Sequence, residues 1–170
     1  TADKELRHYG AVAKDQEAAL FQNLFSEWSV GRSLSIHALR EALRKLGRDL
    51  RPETQCFAIW GHLLRWHTEP WSTQEWVYAL NNMMTEFYEK AQYGILPFSI
   101  DRTSLGWFVY APQGDFLSPQ EGLSILNQAY RAIVQHFPGD LAFYVCPVVP
   151  LTGINEQSAL LLDAKQNNVL

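Results

Sequence analysis

The sequence has little cysteine and no long apolar run. Cys56 and Cys146 are its two cysteines, which is too few for a disulfide scaffold and typical of a reducing cytosol. The longest apolar stretches, such as Leu141–Val149, are far shorter than the ~20 residues that cross a bilayer. No signal peptide opens the chain, which begins Thr1-Ala2-Asp3 without an initiator methionine. We therefore expect a cytoplasmic piece of a larger protein with no membrane partner.

Motifs of nucleotide, metal and nucleophilic chemistry are also missing. Neither GxxxxGK[ST] nor GxGxxG occurs, and neither cysteine stands in a CxxC pair. The histidines have no HExxH or other close ligand spacing; they are His8, His37, His62, His67 and His136. The sequence therefore predicts no metal, no cofactor and no catalytic residues, and we expect that the chain is not an enzyme.

The composition is that of a folded domain. The chain has 170 residues, 47% of them apolar and 19% charged, with a net charge of −4, which suits one domain with an attached helical segment. A basic run could contact phosphates, but it fits a solvated helix face better in a chain of net negative charge. Its members are Arg40, Arg44, Lys45, Arg48 and Arg51. We expect no direct contact with nucleic acid.

Residues 1–50 are predicted to form an N-terminal helical segment, a linker or dimerisation element. Apolar residues recur at helical spacing over the first 28 positions, and a second helix begins after Ser35 and stops at Gly47. The stripe on the first helix is a candidate interaction surface, either for a homodimer or for the core of this chain. It comprises Leu6, Tyr9, Leu20, Leu24 and Trp28.

Residues 51–170 are predicted to form an α+β domain with a ferredoxin-like, GGDEF-like antiparallel sheet. Strands are indicated at 55–64, 95–100, 105–111 and 141–148. Helices begin at the capping boxes Ser72–Glu75 and Ser118–Glu121, and Asn155 is expected to cap a C-terminal helix. The resulting β-α-β-β-α-β order is the split βαβ arrangement with two crossover helices.

Two apolar sets in this domain have open interpretations. On the fourth helix, the stripe Leu123, Leu126, Tyr130, Ile133 and Phe137 is expected to be buried. Between the first strand and its crossover helix, Trp66 and Trp71 flank His67 in a loop. Either these tryptophans fold back over the sheet edge, or the three residues form a patch for a ligand or a partner.

The order of elements is similar to that of nucleotide cyclases of the GGDEF class. In those enzymes the central hairpin carries two glycines and two acidic residues, and the first strand ends in carboxylates that hold Mg²⁺. Here the hairpin reads Ile-Asp-Arg-Thr-Ser-Leu-Gly-Trp over 100–107, and the first strand ends without a carboxylate. Asp101 alone is typical of a turn residue that bonds its own backbone.

Short segments spread over most of the chain resemble the central region of YesN-type response regulators of the AraC family. That region is often described as GGDEF-like without the cyclase motif. The similar segments, in chain order, are Phe21–Phe25, Lys45–Gly47, Leu50–Glu53, Phe57–Trp60, Leu141–Val145 and Gln166–Val169.

This resemblance implies a non-catalytic domain of a two-component system that relays a signal in transcription regulation. Its partners would be a receiver domain and a helix-turn-helix DNA-binding domain of the same chain, both outside these residues. The N-terminal helix would transmit the dimeric state of the receiver. The alternatives are a small-molecule sensor that uses Trp66, His67 and Trp71, and a nucleotide-processing enzyme.

Overall fold

The computed structural model describes residues 19–111 and 117–167, with side chains up to residue 163. Over these residues it is an α+β structure of five helices and an open antiparallel sheet of five strands. The helices are α1 (19–29, its described part), α2 (Ile36–Lys45), α3 (Thr73–Lys90), α4 (Pro119–His136) and α5 (Ile154–Asn167). The strands are β1 (Gln55–Trp66), β2 (Gly94–Asp101), β3 (Ser104–Tyr110), β4 (Gly139–Val145) and β5 (Val149–Pro150).

Serine caps set the starts of three helices, as the sequence predicts. The side chains of Ser35, Ser72 and Ser118 accept hydrogen bonds from backbone N–H groups three residues later, which satisfies donors that have no partner inside the helix. Gly47 follows α2 with a φ of +79°, a conformation that favours glycine.

The sheet has the strand order β2-β3-β1-β4, and each neighbouring pair is antiparallel. The long strand β1 is central, because it pairs with β3 on one side and with β4 on the other. The short strand β5, which the sequence did not predict, pairs with the first two residues of β1. One edge of the described sheet is therefore formed by β2, and the other by β4 with the short β5 beside the start of β1.

The crossover helices α3 and α4 cover one face of the sheet. They pack together through a buried hydrogen bond of 2.8 Å, in which the Tyr88 hydroxyl donates to the Gly122 carbonyl. The core beneath them includes Phe57, Ile59, Trp76, Leu80, Met84, Trp107, Val109, Leu126 and Ile133. Both faces of β1 bury apolar residues, which explains its nearly continuous apolar run.

The opposite face is covered by α1, α2 and α5 together. This second core includes Phe21, Phe25, Trp28, Leu39, Leu43, Phe98, Phe108, Ile154 and Leu161. Because residues before and after position 50 contribute to it, the N-terminal segment packs as a layer of the sheet over its described length. The domain boundary at residue 50 stays a prediction.

Two expectations from the sequence were wrong. On α4, Leu126, Ile133 and Phe137 are buried, but Leu123 and Tyr130 are 48% and 39% exposed, because that side of the helix overhangs the edge strand β4. Asn155 does not cap α5, which begins at Ile154; its amide instead binds the backbone of Leu34.

Among residues 19–111 and 117–167, no helix combines the length and apolar character needed to cross a membrane.

Candidate functional site

The β2–β3 hairpin, where the cyclases carry their glycines and acidic residues, is a locally bonded turn here. The Asp101 Oδ1 atom accepts hydrogen bonds from the Thr103 N–H (2.9 Å) and from its hydroxyl (3.1 Å), as expected for a turn aspartate. Nearby, His62 Nδ1 lies 2.8 Å from Ser104 Oγ. These contacts stabilise the turn.

Metal and thiol chemistry have little support in the described part of the chain. No group of three or more His, Cys, Asp or Glu residues there is arranged to hold a metal ion. Cys56 and Cys146 are both buried and free, and burial raises their pKa values to about 12 and about 11. At neutral pH both thiols therefore stay protonated and are poor nucleophiles.

The two loop tryptophans fold back onto the core. The Trp66 and Trp71 rings lie 5.2 and 5.6 Å from the ring of Phe137, and 6.3 Å from each other. Both are half-buried against the α3–α4 side of the core. The structure thus favours the first interpretation of these residues, as a cover over the end of the sheet.

His67, the third member of the predicted patch, is exposed and binds Asp140 rather than the tryptophans. Its Nε2 atom lies 2.6 Å from Asp140 Oδ1, and Arg65 binds the other carboxylate oxygen. Hydrogen bonds from Arg65 and then from His67 lower the pKa of Asp140 below its ordinary value of 3.8. These contacts join the start of β4 to the end of β1.

The residues of the predicted stripe on the first helix differ in their burial. Leu6 and Tyr9 lie outside the described residues, Leu20 is exposed and Leu24 is half-buried. Trp28 is fully buried. The aromatic residues Phe21 and Phe25, which the stripe omitted, are buried with Trp28 in the packing of α1 on the sheet. The sequence does indicate these two residues, since positions 21, 25 and 28 are also at helical spacing.

Directed hydrogen bonds join the N-terminal helices to α5. The Trp28 indole N–H donates to the Ile154 carbonyl at 2.9 Å. The Asn155 amide accepts from the Leu34 N–H at 2.7 Å and donates to the Leu34 carbonyl at 3.0 Å. We call these four residues the α1–α5 junction. Sequence reasoning missed it because its partners lie 121 and 126 positions apart.

A polar cleft opens where α2, the end of α3 and the β2–β3 pair meet. Its volume is about 620 Å³, and its lining includes Arg48, Glu89, Tyr93 and Tyr110. Arg48 Nη1 donates to the Tyr110 hydroxyl at 2.5 Å. Burial raises the pKa of Tyr110, although the hydrogen bond from Arg48 opposes this effect. The cleft thus contains one bonded pair, Arg48 with Tyr110, and further polar side chains such as Glu89.

No known protein-family model matches the chain, and a comparison with curated proteins finds no match either.

Proposed function

We propose that the chain is a non-catalytic regulatory domain that relays a signal between the segments attached to its N-terminal and C-terminal helices. The observation that carries the proposal is the α1–α5 junction. It places the first and last described helices on one face of the sheet and bonds them directly.

The junction couples the two helices because its bonds are directional and partly buried. If α1 shifts along the sheet, the Trp28 indole must either lose its bond to Ile154 or move the start of α5 with it. Loss of such a bond leaves polar groups without partners, which costs about 1–3 kcal/mol. That energy is comparable to typical coupling energies between two sites.

The architecture supports a ferredoxin-like, GGDEF-like scaffold for this role. The β-α-β-β-α-β order of β1 to β4, the strand order β2-β3-β1-β4 and the placement of α3 and α4 on one face are features of that fold class. Together with the family resemblance, they support a place between a receiver and a helix-turn-helix domain in an AraC-family response regulator. In that setting, α1 would carry the dimeric state of the receiver, with its exposed Leu20 in the dimer contact.

The relay can be tested by hydrogen exchange with a pair of matched tryptophan variants. Trp28→Phe removes the indole N–H at the junction. Trp107→Phe removes an equally buried indole on the opposite face, where it donates to Asn81 at 3.0 Å. We expect Trp28→Phe to accelerate amide exchange in α5 selectively, whereas Trp107→Phe should affect the α3–α4 side.

Equal acceleration of α5 exchange by both variants would mean that the junction is ordinary packing, and the relay would then be wrong. Unchanged α5 exchange in a folded Trp28→Phe protein would contradict it as well. The comparison is informative because both substitutions remove the same chemical group from fully buried positions.

A small-molecule sensor is the second candidate, and the polar cleft favours it. Its volume of about 620 Å³ lies within the range of ligand pockets. A thermal-shift screen with a broad set of metabolites should show a stabilising compound if this function is correct, and an Arg48→Ala variant should lose that shift. A cyclase assay with GTP and Mg²⁺ tests the enzyme alternative, and we expect no product.

A further inference from the structure

The two edges of the sheet are protected unequally. At the β2 edge, Pro97 lacks an N–H, and the Gln22 side chain binds both the N–H and the carbonyl of Ser99, at 2.8 and 3.1 Å. Proline and side-chain cover are common ways to prevent an edge strand from pairing with another chain. Along β4 the interval Leu141–Val145 has no proline and no charged residue, and no strand pairs with its outer side in the described sheet.

The main-chain groups at the β4 edge can be assigned from the register. The Cys146 N–H donates to the Ala58 carbonyl, so Tyr144 and Ala142, at alternate positions, also direct their main-chain groups toward β1. The N–H and carbonyl groups of Leu141, Phe143 and Val145 therefore point away from β1, toward the open edge. With respect to residues 19–111 and 117–167, these three residues form a row of unpaired main-chain donors and acceptors.

An apolar stripe on α4 runs beside this edge. Leu123, Tyr130 and Val134 are spaced so that they share one side of the helix with the polar Asn127 between them, and Leu123 and Val134 are 48% and 47% exposed. The Tyr130 ring contacts Phe143 at 5.8 Å, which places the stripe next to β4. Between them is a groove of about 420 Å³. We call the stripe and the Leu141–Val145 strand the α4–β4 face.

We propose that the α4–β4 face binds a second copy of the chain through antiparallel β4–β4 pairing. Centred on Phe143, a twofold axis pairs Leu141 with Val145 of the other copy and continues the sheet across the interface. The same axis brings the two α4 stripes side by side on one face of the joined sheets. Each copy thus covers the other's free main-chain groups and apolar side chains.

Charge favours a second copy over a different partner. Only residues close to the twofold axis meet their own counterparts, so a charge near that axis would face a like charge. Within 123–134 and 141–145 the one charged residue is Arg131, so the paired β4 strands bring no like charges together across the axis. With one cation and no carboxylate in these intervals, the face offers little to steer a charged partner of another kind.

Sedimentation velocity of the 170-residue chain, measured over a wide range of concentrations, tests the proposal. We expect a reversible dimer that Leu123→Lys weakens at least about tenfold. Leu160→Lys is the matched control, because Leu160 is 49% exposed on α5, which packs on the opposite face. Val145→Pro removes one outward N–H at an edge position where proline is tolerated, and it should also weaken the dimer. Circular dichroism verifies that each variant is folded.

Three results would overturn the proposal. These are a chain that stays monomeric at every concentration, equal weakening of the dimer by Leu123→Lys and Leu160→Lys, and a dimer that Val145→Pro leaves unchanged. A dimer that Leu20→Lys dissociates and Leu123→Lys does not would assign self-association to α1. The proposal does not rest on the relay, which hydrogen exchange within one chain tests separately.

Discussion

Asn155→Asp distinguishes the role that the structure gives Asn155 from the role that the sequence predicts. As a helix cap, aspartate is as effective as asparagine, and its charge interacts favourably with the N-terminal end of a helix dipole. A capping role therefore predicts that Asn155→Asp leaves the free energy of unfolding unchanged or raises it slightly. At the α1–α5 junction, by contrast, the side chain must accept from the Leu34 N–H and also donate to the Leu34 carbonyl.

The size of the expected loss of stability follows from these two hydrogen bonds. Aspartate keeps the 2.7 Å bond from the Leu34 N–H but loses the 3.0 Å bond to the carbonyl, and it places a carboxylate oxygen against that carbonyl. A typical hydrogen bond contributes about 1 kcal/mol, so we expect Asn155→Asp to lower the free energy of unfolding by about 1–2 kcal/mol. Asn155→Ala, which loses both bonds, should lower it by about 2 kcal/mol.

Urea denaturation at neutral pH, followed by tryptophan fluorescence, measures these changes. Asn81→Asp is the matched control, since Asn81 acts toward Trp107 as an acceptor and aspartate retains that acceptor. We expect a smaller change for the control. A neutral or stabilising Asn155→Asp variant would refute the bridging role and restore the capping interpretation.

Two further predictions concern the edge ion pairs and the hairpin. Because Arg65 and His67 lower the folded pKa of Asp140, its carboxylate stabilises the fold above the ordinary pKa of 3.8, and this contribution is lost as the pH falls through the lowered value. Wild type should therefore have a larger free energy of unfolding than Asp140→Asn near neutral pH. Denaturation at a series of pH values should show this difference in stability shrinking below pH 3.8. A difference that does not depend on pH would contradict this. Gly106→Ala should destabilise the chain by about 1–3 kcal/mol, since a Cβ there would lie 2.2 Å from the Phe98 ring. Thermal denaturation should show that adding Phe98→Leu restores part of the lost stability. Additive effects of these two substitutions would exclude the clash.

The serine-capped starts of α2, α3 and α4 were confirmed, as was the order of the long strands and helices in the described residues, because these features depend on local chemistry. Ser72 caps α3 by accepting the Glu75 N–H at 3.2 Å, a bond between residues three positions apart that the pattern Ser-Thr-Gln-Glu already indicates. The order of strands and helices likewise follows from periodicity within short windows. Such features need no information about the rest of the fold.

The side-chain contacts of the candidate site could be predicted less well from the sequence. Trp66 and Trp71 are adjacent to His67 in sequence, but the structure joins the tryptophans to Phe137 and joins His67 to Asp140. Side-chain partners of this kind come from β4 and from the end of α4. Their identity depends on how the crossover helices pack, which periodicity does not specify.

The sequence by itself determined where α2, α3 and α4 begin, that Cys56 lies in a core strand and that β1 is buried on both faces. Capping bonds and runs of apolar residues act over a few positions, so they can be recognised in the linear chain. Tertiary structure alone decided that Leu123 and Tyr130 remain exposed and that Asn155 binds Leu34. Burial and long-range hydrogen bonding depend on which surfaces meet in space, and an apolar helix stripe does not say how much of it the protein's own sheet will cover.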